Sequence, residues 1–305
     1  MGRLTGRGLR RTRTAGWTTT LVGAGVAAWV SSASVAVAAD GLAAPPADKS
    51  GYTLFDPTPR PLMRELSPDR PDVTESPFTV DAGHVQAEFS FAEWRKGDDG
   101  EELAVLPANL KIGLTNNVDL QLVVAPYLRS RTPGRTDDGH GDAEVRVKVN
   151  VWGNDEAGGN ADTGLFAGTA LAVMPYVRFP VGAQAFSNDD RVEGGVIVPL
   201  AVPLPAGFDL TVMAEVDFVR DGTGGYDTLL VHTASVEHDL VGPLGAYLEY
   251  AGTAPLGGDR PYEATLDTGL TYKVSDDVQI DAGVEVGLTA AADDLRVFAG
   301  VTIRR

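Results

Sequence analysis

Apolar residues take every second position along most of the chain from about residue 80 onward. In residues 208–218, for example, Phe, Leu, Val, Ala, Val and Phe alternate with Asp, Thr, Met, Glu and Asp. Side chains of an extended strand point to opposite faces in turn, so this alternation gives each strand one dry face and one wet face. The spacing that marks an amphipathic helix is not sustained anywhere in this region, and we predict an all-β fold.

The alternating runs predict twelve strands, and an even number is what a single-chain bacterial barrel requires. A soluble β-sandwich would show the same alternation. However, the predicted connections are longer at one end than at the other, which is typical of an outer-membrane barrel with both termini in the periplasm. We therefore predict an antiparallel transmembrane β-barrel of about 12 strands. They are predicted at 84–94, 103–114, 118–128, 142–152, 163–179, 192–202, 208–220, 228–238, 244–250, 262–274, 278–289 and 295–304.

Aromatic residues near the ends of the predicted strands fall on the apolar positions. This placement is typical of the aromatic girdles at the two membrane interfaces of such barrels. Trp94 and Trp152 count against the interpretation because they fall on polar positions. The predicted girdle consists of Phe179, Phe208, Phe218, Tyr250, Tyr262 and Tyr272.

The polar positions of the predicted strands carry charges of both signs. In a barrel these side chains would face a wet or ion-paired lumen, where lipid does not desolvate them. The solvated surface of a sandwich would carry them equally well. Net acidity on this face would disfavour anions. The predicted pore-lining residues are Glu144, Arg146, Lys148, Arg178, Glu215, Asp217, Asp267, Asp281 and Glu285.

Four prolines count against a regular barrel, because proline cannot donate a backbone hydrogen bond and a closed barrel has no edge strand. Pro107, Pro126, Pro175 and Pro199 all fall inside predicted strands. We expect bulges or shorter strands at these positions.

The first 39 residues have the pattern of a cleaved signal peptide. They carry five arginines and no acid, then an apolar stretch from Trp17 to Val35, and a small-x-small site ending at Ala38. An uncleaved membrane anchor is the alternative. Residues 40–78 hold eight prolines, too many for a helix or a central strand. We expect this segment to be periplasmic or to act as a plug, ahead of a barrel domain at residues 79–305.

Composition excludes several classes of function. The chain of 305 residues has no cysteine and a formal charge of −17, so thiolate metal sites and nucleic-acid binding are not expected. A hydrolytic site needs a nucleophile, a base and an orienting group at close range, and the histidines offer no such set. We expect no enzyme activity, no cofactor and no metal site. The four histidines are His84, His140, His232 and His238.

Residues 69–80, with the sequence Asp-Arg-Pro-Asp-Val-Thr-Glu-Ser-Pro-Phe-Thr-Val, are followed by Gly-His-Val-Gln-Ala-Glu at 83–88. Together they resemble the start of the barrel in the outer-membrane transporter family named for the meta-pathway of phenol degradation. Gly-Asp-Ala-Glu at 141–144 and Met-Pro-Tyr-Val-Arg-Phe-Pro-Val-Gly at 174–182 are similar to that family too. The resemblance covers about residues 69–305. It implies an outer-membrane β-barrel, associated in some members with uptake of aromatic compounds, and it supplies no catalytic residues. The final residue, Arg305, departs from the usual pattern, which ends in an aromatic.

The expected function is passive passage of small solutes through an outer-membrane channel, with aromatic solutes suggested by the family's name alone. The expected partners are outer-membrane lipid and a small-molecule solute, and the expected location is the bacterial outer membrane. One alternative is a structural or adhesive barrel whose lumen is closed by ion pairs and by the proline-rich segment. Another is a secreted soluble β protein. No feature of the sequence points to an oligomeric state.

Overall fold

The regular secondary structure of the described residues is β in the computed structural model, apart from two three-residue 3-10 turns at Arg60–Leu62 and Pro205–Gly207. No helix in the described ranges has the length and apolar character needed to cross a membrane. The predicted signal peptide at residues 1–39 lies outside the described residues. The structure describes residues 48–155, 168–187, 191–221, 224–257 and 260–305.

The strands form one antiparallel sheet that closes on itself. The last strand pairs with the first along the seam between β15 and β1, from Gln86↔Arg304 to Lys96↔Leu295. The strands are β1 Val85–Gly97, β2 Gly100–Val105, β3 Ala108–Thr115, β4 Val118–Val124, β5 Tyr127–Thr132, β6 Arg135–Gly139, β7 Ala143–Trp152, β8 Ala170–Phe179, β9 Glu193–Leu204, β10 Phe208–Arg220, β11 Tyr226–Val241, β12 Leu244–Pro255, β13 Glu263–Ser275, β14 Val278–Gly287 and β15 Leu295–Arg304.

These fifteen segments make twelve barrel strands, because three strands are interrupted at one level of the wall. The second barrel strand consists of β2 and β3, the third of β4 and β5, and the fourth of β6 and β7. Accordingly β2 pairs with β5, whereas β3 pairs with β4. The first break contains Leu106, at φ 56°, and Pro107, and the second contains Pro126. The predicted count of twelve is confirmed, and two of the four prolines lie where strands are broken.

The other two prolines, Pro175 and Pro199, lie inside β8 and β9. The β7–β8 pairing skips the positions between Arg146↔Tyr176 and Val149↔Val173. The β8–β9 pairing skips those between Leu171↔Leu200 and Met174↔Ile197. Because proline has no N–H to donate, the ladder is lost locally at each proline while the register is kept.

The predicted loops at 95–102 and 129–141 are wrong in part, because the first four barrel strands extend beyond the apolar alternation. β1 and β2 meet at the two-residue turn 98–99, and β5 and β6 meet at the turn 133–134. Exposed ion pairs, such as Arg131 with Glu101 at 3.0 Å, join these extensions. Strands that stand in water on both faces have no dry side, so their sequence carries no alternation.

The two faces of the wall have opposite chemistry. On β10 the outward side chains from Phe208 to Phe218 are all apolar, and the two phenylalanines are 40% and 49% exposed. Ten residues span about 34 Å along a strand. At the usual tilt they span roughly 25 Å of height, which matches the apolar band of outer-membrane barrels. Most of the inward side chains are polar, and several are fully buried, among them Lys111, Lys148 and Glu249 at 2% exposure or less.

A β-bulge in β1 turns Trp94 to the outer face. The pairing of β1 with β15 shifts between Ser90 and Ala92, and beyond the shift Trp94 pairs with the exposed Val297. A similar shift in β7 brings Trp152 opposite Leu171. The placement of these tryptophans on the polar face is therefore wrong. Alternation counted along a sequence loses its phase wherever a bulge inserts a residue.

We predict that cysteines replacing Ala87 and Ile303, which face each other across the β1–β15 seam, will be joined by a short bifunctional thiol reagent in the folded protein. The chain has no other cysteine, so the product identifies the pair. Its altered mobility on a denaturing gel after boiling is the measurement. Ala87→Cys with Leu248→Cys is the control, because Leu248 lies on β12, remote from the seam. If the reagent joined the control pair as readily as the pair across the seam, the result would contradict closure of the barrel between β1 and β15.

Candidate functional site in the barrel lumen

Residues 64–82 lie against the inner face of the wall, and we call them the inner segment. They form no helix or strand, so their backbone N–H groups need partners from the wall. Glu249 on β12 accepts from the amides of Val73 and Thr74, both at 2.7 Å. Elsewhere, Glu88 on β1 accepts from Asp69 at 3.0 Å, Asp119 on β4 from Val80 at 3.0 Å, and Asn154, just beyond the end of β7, from Thr79 at 3.1 Å.

Asp69 is the centre of a buried ion cluster. Its carboxylate accepts from Nζ of Lys148 at 2.6 Å and pairs with Lys111, which also contacts Glu88. All four side chains are 3% exposed or less. Burial by itself raises the pKa of Asp69, but the ammonium groups of Lys111 and Lys148 outweigh it and hold the pKa well below its ordinary value. Two lysines and two carboxylates neutralise one another, as buried charges require.

Arg70 bridges the seam where the barrel closes. Ser90 on β1, Gly300 on β15 and Asp281 on β14 lie in one row across three neighbouring strands. The Arg70 guanidinium donates to Ser90 Oγ at 2.7 Å and to the two carboxylate oxygens of Asp281 at 2.7 and 2.9 Å. It passes over Gly300, where a Cβ atom would overlap both the guanidinium and the carbonyl oxygen of Phe89. The inner segment therefore ties β1 to β14 across the final strand, β15.

A second tie holds the end of the final strand. Arg304 donates to the carbonyl of Arg64 at 2.8 Å and to Oδ1 of Asp277 at 3.1 Å. Phe298, the aromatic residue nearest the C-terminus, points inward and is 5% exposed. The final strand thus ends in a residue bound to the inner segment.

The nine predicted pore-lining residues all lie on inward positions, and each of them makes a polar contact in this structure. Glu144 pairs with Arg146 and Arg178, and Arg146 also pairs with Glu75 of the inner segment. The others pair as follows: Lys148 with Asp69, Asp281 with Arg70, Glu285 with Arg296, Asp217 with the Tyr176 hydroxyl, Asp267 with the Tyr247 hydroxyl, and Glu215 with Asp217.

Two of the most deeply buried wall residues, Lys111 and Glu249, are missing from that predicted set. Both stand between outward apolar residues in the sequence, so alternation alone was enough to identify them. The inner-segment side chains Asp69, Arg70 and Glu75 are missing for another reason. Their segment has no periodicity, and their partners lie far along the chain, 211 residues away for Arg70 and Asp281.

The six predicted girdle residues are all exposed on the outer face, from 36% for Tyr250 to 49% for Phe218. Phe208 and Tyr272 lie near the end of the wall where β1 begins and β15 ends, and Phe179, Phe218 and Tyr262 lie near the other end. Histidine rings extend both groups: His238 stacks on Phe208 with centroids 4.2 Å apart, and His232 stacks on Tyr262 at 6.0 Å. The rings of His84 and His140 contact the backbone carbonyls of Thr58 and Val181.

The family model described as "Putative MetA-pathway of phenol degradation" matches residues 68–304. No curated protein matches the sequence significantly. Among solved structures, the COG4313 outer membrane channel from Pseudomonas putida F1 is similar at TM-score 0.55 and 10% identity, over 78% of this chain and 100% of that chain. The NanC porin is similar at TM-score 0.49 and 10% identity, over 72% of this chain and 98% of that chain. At this level of identity the first likeness supports the fold of a closed antiparallel barrel.

We predict that Gly300→Ala will displace Arg70 from the seam and lower the free energy of unfolding by about 3 kcal/mol, as for a broken buried ion pair. The measurement is the temperature at which the folded form, seen as a distinct band on an unboiled gel, converts to the unfolded form. Gly257→Ala is the matched control, because a Cβ there meets no atom within 4 Å.

The same prediction requires that the effects of Gly300→Ala and Arg70→Gln on the free energy of unfolding do not simply add. Once Arg70→Gln has removed the guanidinium, Gly300→Ala should cost less than it does in the parent protein, and the cost that remains is the overlap of the new methyl group with the carbonyl oxygen of Phe89. Fully additive effects would show that Gly300 acts independently of Arg70.

We predict that the inner segment becomes less firmly held as the pH rises. Burial raises the pKa of Glu75 to about 7, although Arg146 opposes the rise. Burial and the Glu249 and Glu237 carboxylates raise the pKa of Asp72. A raised pKa means that these carboxyl groups keep their protons more firmly when the inner segment is bound to the wall than when it is released. Protonation therefore stabilises the bound segment fully below about pH 4, and this stabilisation is lost as the pH rises through about 7. Planar-bilayer conductance should therefore increase over that range.

The double variant Asp72→Asn with Glu75→Gln is the control for this pH effect, because neither new side chain titrates. Its conductance should vary much less with pH than that of the parent protein. An unchanged pH profile in the variant would assign the effect to groups on the wall.

Proposed function

We propose that the chain, which belongs to the family described as "Putative MetA-pathway of phenol degradation", is an outer-membrane channel for the passive passage of small solutes. The observation that carries this proposal is the outer face of the barrel. A soluble sandwich covers its apolar faces with a second sheet. Here outward residues such as Leu248 and Leu270 remain 52% and 51% exposed, and hydrocarbon is the surrounding that fits them.

The proposal includes location in the outer membrane and export by a cleaved signal peptide at residues 1–39. Two features of the chain support it: the basic and then apolar N-terminal sequence, and the aromatic residues near both ends of the wall. The similar Pseudomonas putida structure is itself named an outer membrane channel. Outer-membrane lipid is then the partner of the outer face.

The charges of the inner face favour neutral and cationic solutes over anions. On β10 to β14 this face carries Glu215, Asp217, Glu249, Asp267, Asp281 and Glu285. A lumen lined mostly by one sign of charge concentrates ions of the opposite sign. The nine predicted pore-lining residues are part of this proposal. Phenol-like solutes are part of this proposal only because the family's description names phenol degradation.

Passage in this channel requires the inner segment to move. Its contacts with Glu88, Asp119 and Glu249 reach β1, β4 and β12 at once, so it stands across the lumen. We infer that it acts as a plug, which is one of the two roles expected from the sequence for residues 40–78. The same contacts favour a second candidate, a structural barrel that never conducts.

Ion selectivity tests the channel and its lining together. We predict that reversing two charges of the inner face, with Glu215→Lys and Asp217→Lys, will shift selectivity in planar bilayers from cations towards anions, because the local potential changes sign. Reversal potential in a salt gradient is the measurement. Asp99→Lys, on the exposed turn between β1 and β2, is the matched control and should leave it nearly unchanged.

The outcome distinguishes the two candidates. Unchanged selectivity with persistent conduction would show that these carboxylates do not line the passage. Absence of conduction in the parent protein, and in a variant whose plug is released by Arg70→Gln and Glu249→Gln, would favour the non-conducting barrel.

A further inference from the structure

One sector of the inner face is apolar. Met174, Tyr176, Ile197 and Met213 come from the adjacent strands β8, β9 and β10, form one cluster, and are 6% exposed or less. They occupy inward positions, which elsewhere on the wall hold residues such as Gln121. Apolar side chains in a wet lumen cost free energy unless other apolar groups cover them. We call these four residues the lumen patch.

Val73 of the inner segment covers the lumen patch, and Val231 of β11 packs at its margin. The neighbouring amide of Glu75 lies 3.4 Å from Sδ of Met213, and the amides of Val73 and Thr74 are fixed by Glu249. The patch is thus occupied by a side chain of the same polypeptide. The chemistry of this occupant is that of a small branched hydrocarbon.

The border of the lumen patch is acidic. The Tyr176 hydroxyl donates to Oδ1 of Asp217 at 2.5 Å. Glu215 stands directly opposite Ile197 in the sheet. A solute carrying a negative charge would meet these two carboxylates on reaching the patch, whereas an uncharged solute would not be repelled.

The dimensions of the patch limit the size of its ligand. It extends from β8 to β11, and four strands at the usual spacing cover about 15 Å. Along β8 it extends from Met174 to Tyr176, about 7 Å. This area accommodates a single six-membered ring or a short aliphatic chain.

We propose that the lumen patch is a binding site for one small uncharged solute with an apolar body, and that Val73 occupies the site until such a solute replaces it. The proposal rests on the proposed channel function and adds the solute class and the place of binding. Two methionines and an isoleucine supply most of the surface, and thioether and aliphatic groups adapt to many shapes. Saturated rings therefore bind as well as aromatic rings.

The test uses Val73→Cys in the full-length barrel, in proteoliposomes, with a small cationic methanethiosulfonate as the thiol reagent. The chain has no other cysteine. Cyclohexylmethanol and benzyl alcohol should each raise the labelling rate of residue 73, by roughly tenfold at saturation, because a bound solute takes over the burial that residue 73 loses. Cyclohexanecarboxylate, the anion of the same saturated ring, should leave the rate nearly unchanged, and so should glycerol.

Two controls separate binding from general effects on the membrane. Ser50→Cys places the thiol at an exposed position ahead of the inner segment, and its labelling rate should not respond to either alcohol. Ile197→Ser combined with Val73→Cys makes the patch polar and should abolish the response to both alcohols. If both alcohols left the labelling of residue 73 unchanged, or if the response persisted in the Ile197→Ser variant, the binding site would be wrong. A response to benzyl alcohol alone would overturn the assignment to apolar contact.

Conductance of the same preparations distinguishes this proposal from the channel itself. Ion conduction without any solute effect on labelling would reject the lumen patch and leave the channel function intact. Absence of conduction under every condition would reject the channel function, whatever the labelling shows. Should Val73→Cys fail to give the folded band on an unboiled gel, Val73→Ala is used instead. Liposome swelling in cyclohexylmethanol should then be faster than for the parent protein, and equal swelling would contradict the blocking role of Val73.

Discussion

An irregular segment enclosed by a sheet has to have every backbone group and every charge satisfied by the surrounding wall. This requirement explains the composition of the inner face. Glu249 and Asp119 accept from amides that the proline-rich backbone cannot pair within itself. In return, Lys111 and Lys148 depend on Asp69 for neutralisation. Without the segment, Lys148 would lose its ion pair with Asp69 and Lys111 would lose one of its two, so the wall and the inner segment stabilise each other.

Glycines in the wall allow large inward side chains to reach partners two strands away. Arg70 crosses Gly300 to join Ser90 with Asp281. Tyr176 reaches Asp217 in the same way over Gly195, where a Cβ atom would crowd both side chains. A methyl group at either position would block the crossing. In this barrel, therefore, the position of an inward glycine decides which charged and hydrogen-bonded pairs can form.

The architecture was predictable from the sequence because lipid or lumen contacts impose a period of two on every strand. That period identified twelve strands, and it marked the inward residues from Glu144 to Glu285. It failed at Trp94, because a bulge shifts the phase without any mark in the sequence. It also failed at the extensions around residues 98–99, which have no dry face. Contacts such as Arg70 with Asp281 depend on register and on the path of an aperiodic segment, which local patterns do not encode.

The contacts that hold the inner segment differ in how a neutral solute affects them. The ion pairs of Asp69 and Arg70 are buried, so salt screens them weakly, and an uncharged molecule does not compete for them. Val73 is held by apolar contact, for which an uncharged molecule does compete. In the proposed channel, a solute would therefore free the part of the segment around Val73 while Arg70 still bridges β1 and β14. Because that bridge lies at the closing seam, the barrel would stay closed during passage, and only the stretch over the lumen patch would have to move.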